Sequence, residues 1–130
     1  MACLETSFLV DILKKEISAG KLMNELENFE PRLVVASPSI KELWAGALLS
    51  KKKEQEKAKI NELMTNFEVL SLDENSAKEA AEIEFELTKK GLPIDVEDVM
   101  IAAIAKTNGE KVVTRDEHFV RVSGLKVLKY

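Results

Sequence analysis

The sequence is poor in the residues on which disulfide-stapled, zinc-binding and membrane proteins depend. It has one cysteine and one histidine among its 130 residues. A single cysteine excludes an internal disulfide and argues against a cysteine-based zinc site. No apolar run approaches the length of about 20 residues that a membrane-spanning helix needs. We therefore expect no membrane partner and no covalent staple.

Apolar and charged residues are abundant instead, at 45% and 32% of the chain. A chain of this length buries roughly two-thirds of its unfolded surface, which is enough for a core without staples. We predict one domain over residues 1–130. The amino-terminal segment carries acids and lacks a basic region and a cleavage site. We therefore expect no signal peptide and a cytoplasmic location.

The net charge of −4 argues at first against a nucleic-acid partner. That objection weakens if several acids are collected in one pocket, because a bound metal ion would offset their charge. The rest of the surface would then be neutral or basic in places. The distribution of the acids therefore matters more than their sum.

Short apolar runs alternate with longer segments of helical period. Leu33–Ala36 is β-rich without alternation, as in a strand that is buried on both faces. The segment from Asp95 to Thr107 is apolar on nearly every side and predicts a central, buried helix. This alternation predicts an α/β domain with a parallel sheet of about five strands and helices on both faces. The predicted strands are 2–4, 33–36, 67–70, 111–114 and 126–128, and the predicted helices are 7–15, 21–29, one from 37, one through 60–64, 73–90 and 95–107.

Four acids fall at equivalent places in this pattern. Glu5 follows the first strand directly, and Glu42 lies in the first turn after the second strand. Asp98 begins the buried helix, and Asp116 follows the fourth strand. Ligands of open parallel sheets bind outside the carboxyl ends of the strands, so these side chains should meet at one edge.

Converging carboxylates require a compensating cation. Two of them about 4 Å apart repel by about 4 kcal/mol at an effective dielectric near 20. A set of oxygen ligands without a thiolate or imidazole favours Mg²⁺ or Mn²⁺ over zinc. Such sites commonly hydrolyse phosphate esters, because the ion activates water and neutralises developing charge. We predict a site in which all four acids are metal ligands and catalytic groups.

Each acid also has a structural alternative. Ser39-x-x-Glu42 is a capping-box pattern, and Asp95-x-x-Asp98 resembles one. Taken alone, Glu5 fits a surface acid and Asp116 a turn former. The metal-site hypothesis therefore depends on all four acids occurring together.

At these residues the chain resembles the PIN-domain family, in particular its small VapC-type toxin ribonucleases. The resemblance lies in four ordered motifs that span nearly the whole chain. These are Leu4-Glu5-Thr6-Ser7, Ser37-Pro38-Ser39-Ile40-Lys41-Glu42-Leu43, Asp98-Val99-Met100-Ile101-Ala102-Ala103, and Val113-Thr114-Arg115-Asp116 with Phe119.

The resemblance implies a three-layer, Rossmann-like fold and a metal-dependent endoribonuclease that cleaves RNA with metal-activated water. It implies the toxin of a toxin–antitoxin pair, an antitoxin protein as partner, and a homodimer. Asp98 and Asp116 would be metal ligands, with Glu42 as a ligand or as the group that orients the water. Substrate contacts or supporting contacts would come from Thr6, Ser7, Asp95, Thr114 and Arg115.

One position departs from the family pattern, since the first acid is usually Asp and is Glu5 in this chain. The longer side chain reaches about 1.5 Å further, and a misplacement near 1 Å can lower a rate about 100-fold. The alternative function is therefore a non-catalytic module with an impaired site, which binds RNA or protein. Asp11 is a possible substitute acid, although a solvated helical acid is favoured there. For His118, packing or surface exposure is favoured over a general-base role.

Overall fold

A computed structural model describes residues 1–130 and shows a five-stranded, fully parallel sheet with strand order β3-β2-β1-β4-β5. The predicted α/β class and strand count are therefore confirmed. The strands are β1 Ala2–Leu4, β2 Leu33–Ala36, β3 Glu68–Leu70, β4 Lys111–Thr114 and β5 Val127–Lys129. The helices are α1 Thr6–Leu13, α2 Ile17–Phe29, α3 Ser37–Leu48, α4 Lys53–Met64, α5 Glu74–Lys89 and α6 Val96–Thr107.

The sheet is covered on both faces, which makes the domain three-layered as expected. Alternate residues of each strand point to opposite sides, so β1 gives Cys3 to one core and Leu4 to the other. The first core is completed by α5 and α6, and the second by side chains of α1 to α4. Burial raises the pKa of the Cys3 thiol to about 12, so this cysteine is an unreactive core residue.

The prediction of a central helix at 95–107 is confirmed by α6, which is buried from Asp98 to Ala105 except at Met100. The ends of other helices differ from expectation. Lys15 has a φ of 60° and ends α1 before the predicted boundary, and α2 then begins at Ile17 rather than at 21. A short 3₁₀-helix, Glu117–Arg121, was not predicted. No helix is long and apolar enough to cross a membrane.

The strand order determines where a site can form. The chain proceeds outward from β1 through β2 to β3, and then returns to pair β4 with the other side of β1. The point between β1 and β4 is therefore a topological switch point, where ligands of open α/β sheets bind. Register pairs Leu4 with Val113, so the residues that follow these two strands emerge side by side.

Candidate metal centre

Glu5 lies at the centre of the carboxyl edge, immediately after β1, and only 4% of its surface is exposed. Its backbone N–H donates to the Val113 carbonyl at 3.0 Å. Its Oε1 accepts hydrogen bonds from Ser7 Oγ at 2.6 Å and from Thr114 Oγ1 at 2.5 Å. The interpretation of Glu5 as a surface acid is therefore wrong. Two hydroxyl groups from neighbouring segments fix the position of the longer side chain.

Glu42 is directed to the same edge from α3, with its Oε1 accepting a hydrogen bond from Thr6 Oγ1 at 2.7 Å. Ser39, which is completely buried, lies 2.9 Å from the same threonine oxygen. Because α3 begins directly at Ser37, Glu42 is in its second turn and not in the first, as predicted. The capping box of Ser39 and Glu42 does not form, since the N-cap is Ala36 and no side chain caps it.

Asp98 projects from the first turn of α6 and is 7% exposed. No protein N–H or O–H donates to its carboxylate, and no cationic side chain pairs with it. The Asp95-x-x-Asp98 capping box is also absent, because Asp95 is the N-cap residue but makes no side-chain cap hydrogen bond. Asp95 is exposed at the rim of the site, where its charge acts on Asp98.

Asp116 follows β4 and begins the 3₁₀-helix. Its Oδ1 accepts a hydrogen bond from the backbone N–H of His118 at 2.9 Å, so the turn-forming role considered for it is realised. Its own N–H donates to Thr114 Oγ1 at 2.9 Å. Thr114 thus links Asp116 to Glu5 across the ends of β4 and β1.

The four predicted acids meet, but they do so as two overlapping sets that share Asp98. In one set, one carboxylate oxygen from each of Glu5, Glu42 and Asp98 lies within 4.8 Å of the others. In the other set, the same limit holds for ligand atoms of Asp98, Asp116 and His118. Sequence reasoning predicted the acids and assigned no metal-binding role to the histidine.

Burial and mutual repulsion control the charge of this cluster. Burial is the main cause that raises the pKa of Asp98 from its ordinary value of 3.8 to about 7, and repulsion from Glu5, Glu42, Asp116 and Asp95 adds to it. Burial likewise raises the pKa of Glu42, although the hydrogen bond from Thr6 opposes the shift. The protein alone therefore leaves negative charge uncompensated at this edge.

A hard divalent cation fits these residues. The first set supplies carboxylate oxygens only, as Mg²⁺ and Mn²⁺ prefer. The buried Asp98 carboxylate has no partner in the protein, and a cation would supply one. The hydroxyl groups of Thr6, Ser7 and Thr114 orient the carboxylates themselves, because each donates to Glu5 or Glu42.

A second acid at this edge, Asp11, is buried rather than solvated, which overturns the favoured reading. It is 5% exposed and accepts a hydrogen bond from Tyr130 Oη at 2.7 Å. Arg115 Nε lies 3.5 Å from the same oxygen, and the Tyr130 ring packs edge-on against Phe8 at 5.2 Å. Burial and the bond to Asp11 raise the pKa of Tyr130. The helical pattern could not reveal this, because the partners come from the other end of the chain.

A parallel α/β sheet with converging carboxylates at its switch point defines a class of cation-binding domains. Residues 2–125 match the sequence model of the PIN domain, and the chain belongs to that family. The resemblance noted in the four motifs is confirmed.

Known relatives give the family match a finer resolution. The chain is 33% identical over 97 residues to the tRNA(fMet)-specific endonuclease VapC of Salmonella typhimurium strain LT2, which covers 74% of each protein. It is 28% identical over 123 residues to ribonuclease VapC2 of Rickettsia felis, covering 94% of this chain and 92% of the relative. The crystal structure of VapBC2 from Rickettsia felis, bound to a DNA fragment from their promoter, matches with a TM-score of 0.92 and 26% identity, over 99% of this chain and 98% of the other.

Neutralising Asp98 should stabilise the metal-free protein at high pH. Unfolded Asp98 ionises near 3.8 and folded Asp98 near 7, so the penalty for burying its charge is absent below pH 3.8 and complete above pH 7. In buffer with a chelator, we expect Asp98→Asn to raise the free energy of unfolding at pH 8 by on the order of 1–2 kcal/mol. Urea denaturation at pH 8 and pH 4 measures this, and the gain should vanish at pH 4.

The control for this measurement is Glu74→Gln, which neutralises an exposed acid in the first turn of α5. It should change the free energy of unfolding by less than about 0.5 kcal/mol at either pH. An Asp98→Asn protein that is no more stable than the parent at pH 8 would contradict the proposed strain.

Removing the Tyr130 hydroxyl should destabilise the fold by leaving the buried Asp11 with Arg115 alone. We expect Tyr130→Phe to lower the free energy of unfolding by about 1–3 kcal/mol in urea at pH 7. The matched comparison is Tyr130→Phe in an Asp11→Asn background, where the loss should be smaller. An equal loss in both backgrounds would assign the effect to ring packing instead of the hydrogen bond.

Proposed function

We propose that this protein is an endoribonuclease that depends on Mg²⁺ or Mn²⁺ and acts as the toxin of a toxin–antitoxin pair. One observation carries the proposal, namely that a buried and unpartnered Asp98 meets Glu5 and Glu42 at the switch point of a PIN domain. Phosphodiester hydrolysis suits such an edge, because it needs a cation beside an activated water. The names of the relatives, endonuclease and ribonuclease, support the same reaction class.

The protein groups divide the work by position. Glu5, Glu42 and Asp98 would hold the ion, and Asp116 would extend the negative site toward a second position. A divalent ion bound there supplies activation of water and neutralises charge that develops on the phosphate. Thr6, Ser7 and Thr114 keep the carboxylates in place before the ion arrives.

Arg115 is the cation best placed to meet a phosphate at the rim. Its backbone N–H donates to Ser7 Oγ at 3.0 Å, which fixes the residue beside the acids. Its side chain is more than half exposed while Asp11 restrains the Nε edge, so the remaining guanidinium N–H groups are available. We assign it to the substrate backbone.

We also propose an antitoxin protein as partner, supported by the VapBC2 assembly of the structural relative. A groove of about 430 Å³ beside Glu42 is the surface that we assign to it. The groove is bordered by apolar and charged side chains of α1, α3 and α4, among them Leu13, Leu43 and Lys59. Homodimer formation and a cytoplasmic location remain predictions from the sequence.

Cleavage of RNA should depend on Asp98. With Mn²⁺, we expect the purified protein to cut single-stranded RNA, and Asp98→Asn to lower the rate by about 100-fold or more. Initiator tRNA and an elongator tRNA test whether the relative's substrate applies here. Gel analysis of end-labelled RNA gives the rates, and Glu117→Gln, which loses only an exposed ion pair with Lys129, is the control. Equal cleavage by the Asp98→Asn protein would indicate a contaminating nuclease and remove the support for the proposal.

The alternative function, a non-catalytic binding module, rests on Glu5 in place of Asp. The structure gives this glutamate two hydrogen bonds suited to its length, so we expect the parent to be active and Glu5→Asp to be no faster. Single-turnover cleavage rates of both proteins with Mn²⁺ decide the matter. An inert parent with a robustly active Glu5→Asp variant would favour the binding module.

A further inference from the structure

The His118 side chain occupies a position that neither the fold nor the proposed carboxylate site requires. It lies on the 3₁₀-helix after β4, half exposed, with Nδ1 3.2 Å from Asp116 Oδ1. A ligand atom of its ring also falls within 4.8 Å of the Asp98 carboxylate. It is the only histidine in the chain.

Asp98 provides an independent indication that a ligand is absent from this set of contacts. Its carboxylate is more than nine-tenths buried, yet it has no hydrogen-bond donor and no cation as partner. It is also the one residue that belongs to both ligand sets. A carboxylate has two oxygens with several lone pairs, so it can serve two neighbouring cations at once.

The two sets differ in chemistry. Glu5, Glu42 and Asp98 offer oxygen only, whereas the second set adds an imidazole nitrogen. Mg²⁺ strongly prefers oxygen, while imidazole suits transition ions, whose affinity for nitrogen rises along the first row from Mn²⁺. The second set should therefore discriminate between Mg²⁺ and a transition ion, which the first set does only weakly.

We propose that Asp98, Asp116 and His118 form a second cation subsite, selective for a transition ion such as Mn²⁺, with the His118 imidazole as nitrogen ligand. The proposal rests on the proposed metal site, because Asp98 is common to both subsites. A bridging carboxylate is compatible with two ions about 3.5–4 Å apart. The backbone hydrogen bond from His118 to Asp116 holds the short helix in the conformation that presents both side chains.

The competing explanation is local, since the imidazole also forms a polar contact with Asp116 that needs no metal. That contact explains the position of Asp116 but leaves the buried Asp98 without a partner. It also predicts no change in metal preference when the ring is removed. Direct detection of the metal–nitrogen bond separates the two explanations.

The test uses pulsed electron paramagnetic resonance on full-length, tag-free protein with one and two equivalents of MnCl₂ at pH 8. Electron spin echo envelope modulation detects ¹⁴N coordinated to Mn²⁺, and in this chain any imidazole signal must come from His118. We expect ¹⁴N modulation in the parent and its loss in His118→Gln. By calorimetry, His118→Gln should weaken Mn²⁺ binding at the second subsite at least about tenfold and change Mg²⁺ binding less than about twofold.

The control variant is Glu117→Gln, which changes the adjacent residue on the same 3₁₀-helix but faces Lys129. It should retain the ¹⁴N modulation and the Mn²⁺ affinity of the parent. Mn²⁺ that binds without ¹⁴N modulation at either stoichiometry would overturn the His118 subsite and leave the carboxylate site standing. Absence of any Mn²⁺ binding would overturn both this proposal and the proposed function.

Discussion

The parallel pairing of β1 with both β2 and β4 is the constraint on which the site depends. It places the ends of three strands side by side and so brings together acids that are more than ninety positions apart along the chain. These carboxylates repel one another, and the folded sheet is what opposes their separation. The hydrogen bonds from Thr114 and Ser7 to Glu5 join the two central strand ends directly at the point of greatest charge.

The surrounding apolar structure increases that electrostatic strain. The α6 helix packs against the sheet with nearly all its residues buried, and Asp98 on its first turn is buried with it. Burial is the largest cause of its raised pKa, ahead of repulsion from its neighbours. Removal of water also strengthens the attraction to an entering cation. The same burial that destabilises the metal-free protein therefore favours metal binding.

The departure of Glu5 from the usual aspartate has a local explanation in the structure. A longer acid would be poorly placed if it could move freely, but its carboxylate is fixed by two hydroxyl groups. The site is accordingly built around this side chain and not merely tolerant of it. In the same way, Asp11 is stabilised by Tyr130 from the end of the chain, which ties the last strand to the helix that follows Glu5.

The sequence alone determined the α/β class, the five strands, the buried α6 and the identity of the four acids. Those features follow from local periodicity and from position after a strand, which are properties of neighbouring residues. Only the tertiary structure decided that the capping boxes do not form, that Asp11 is buried, and that His118 joins Asp98 and Asp116. These depend on contacts between segments far apart in the chain, and on a helix start shifted by a few residues. Local patterns carry no information about either.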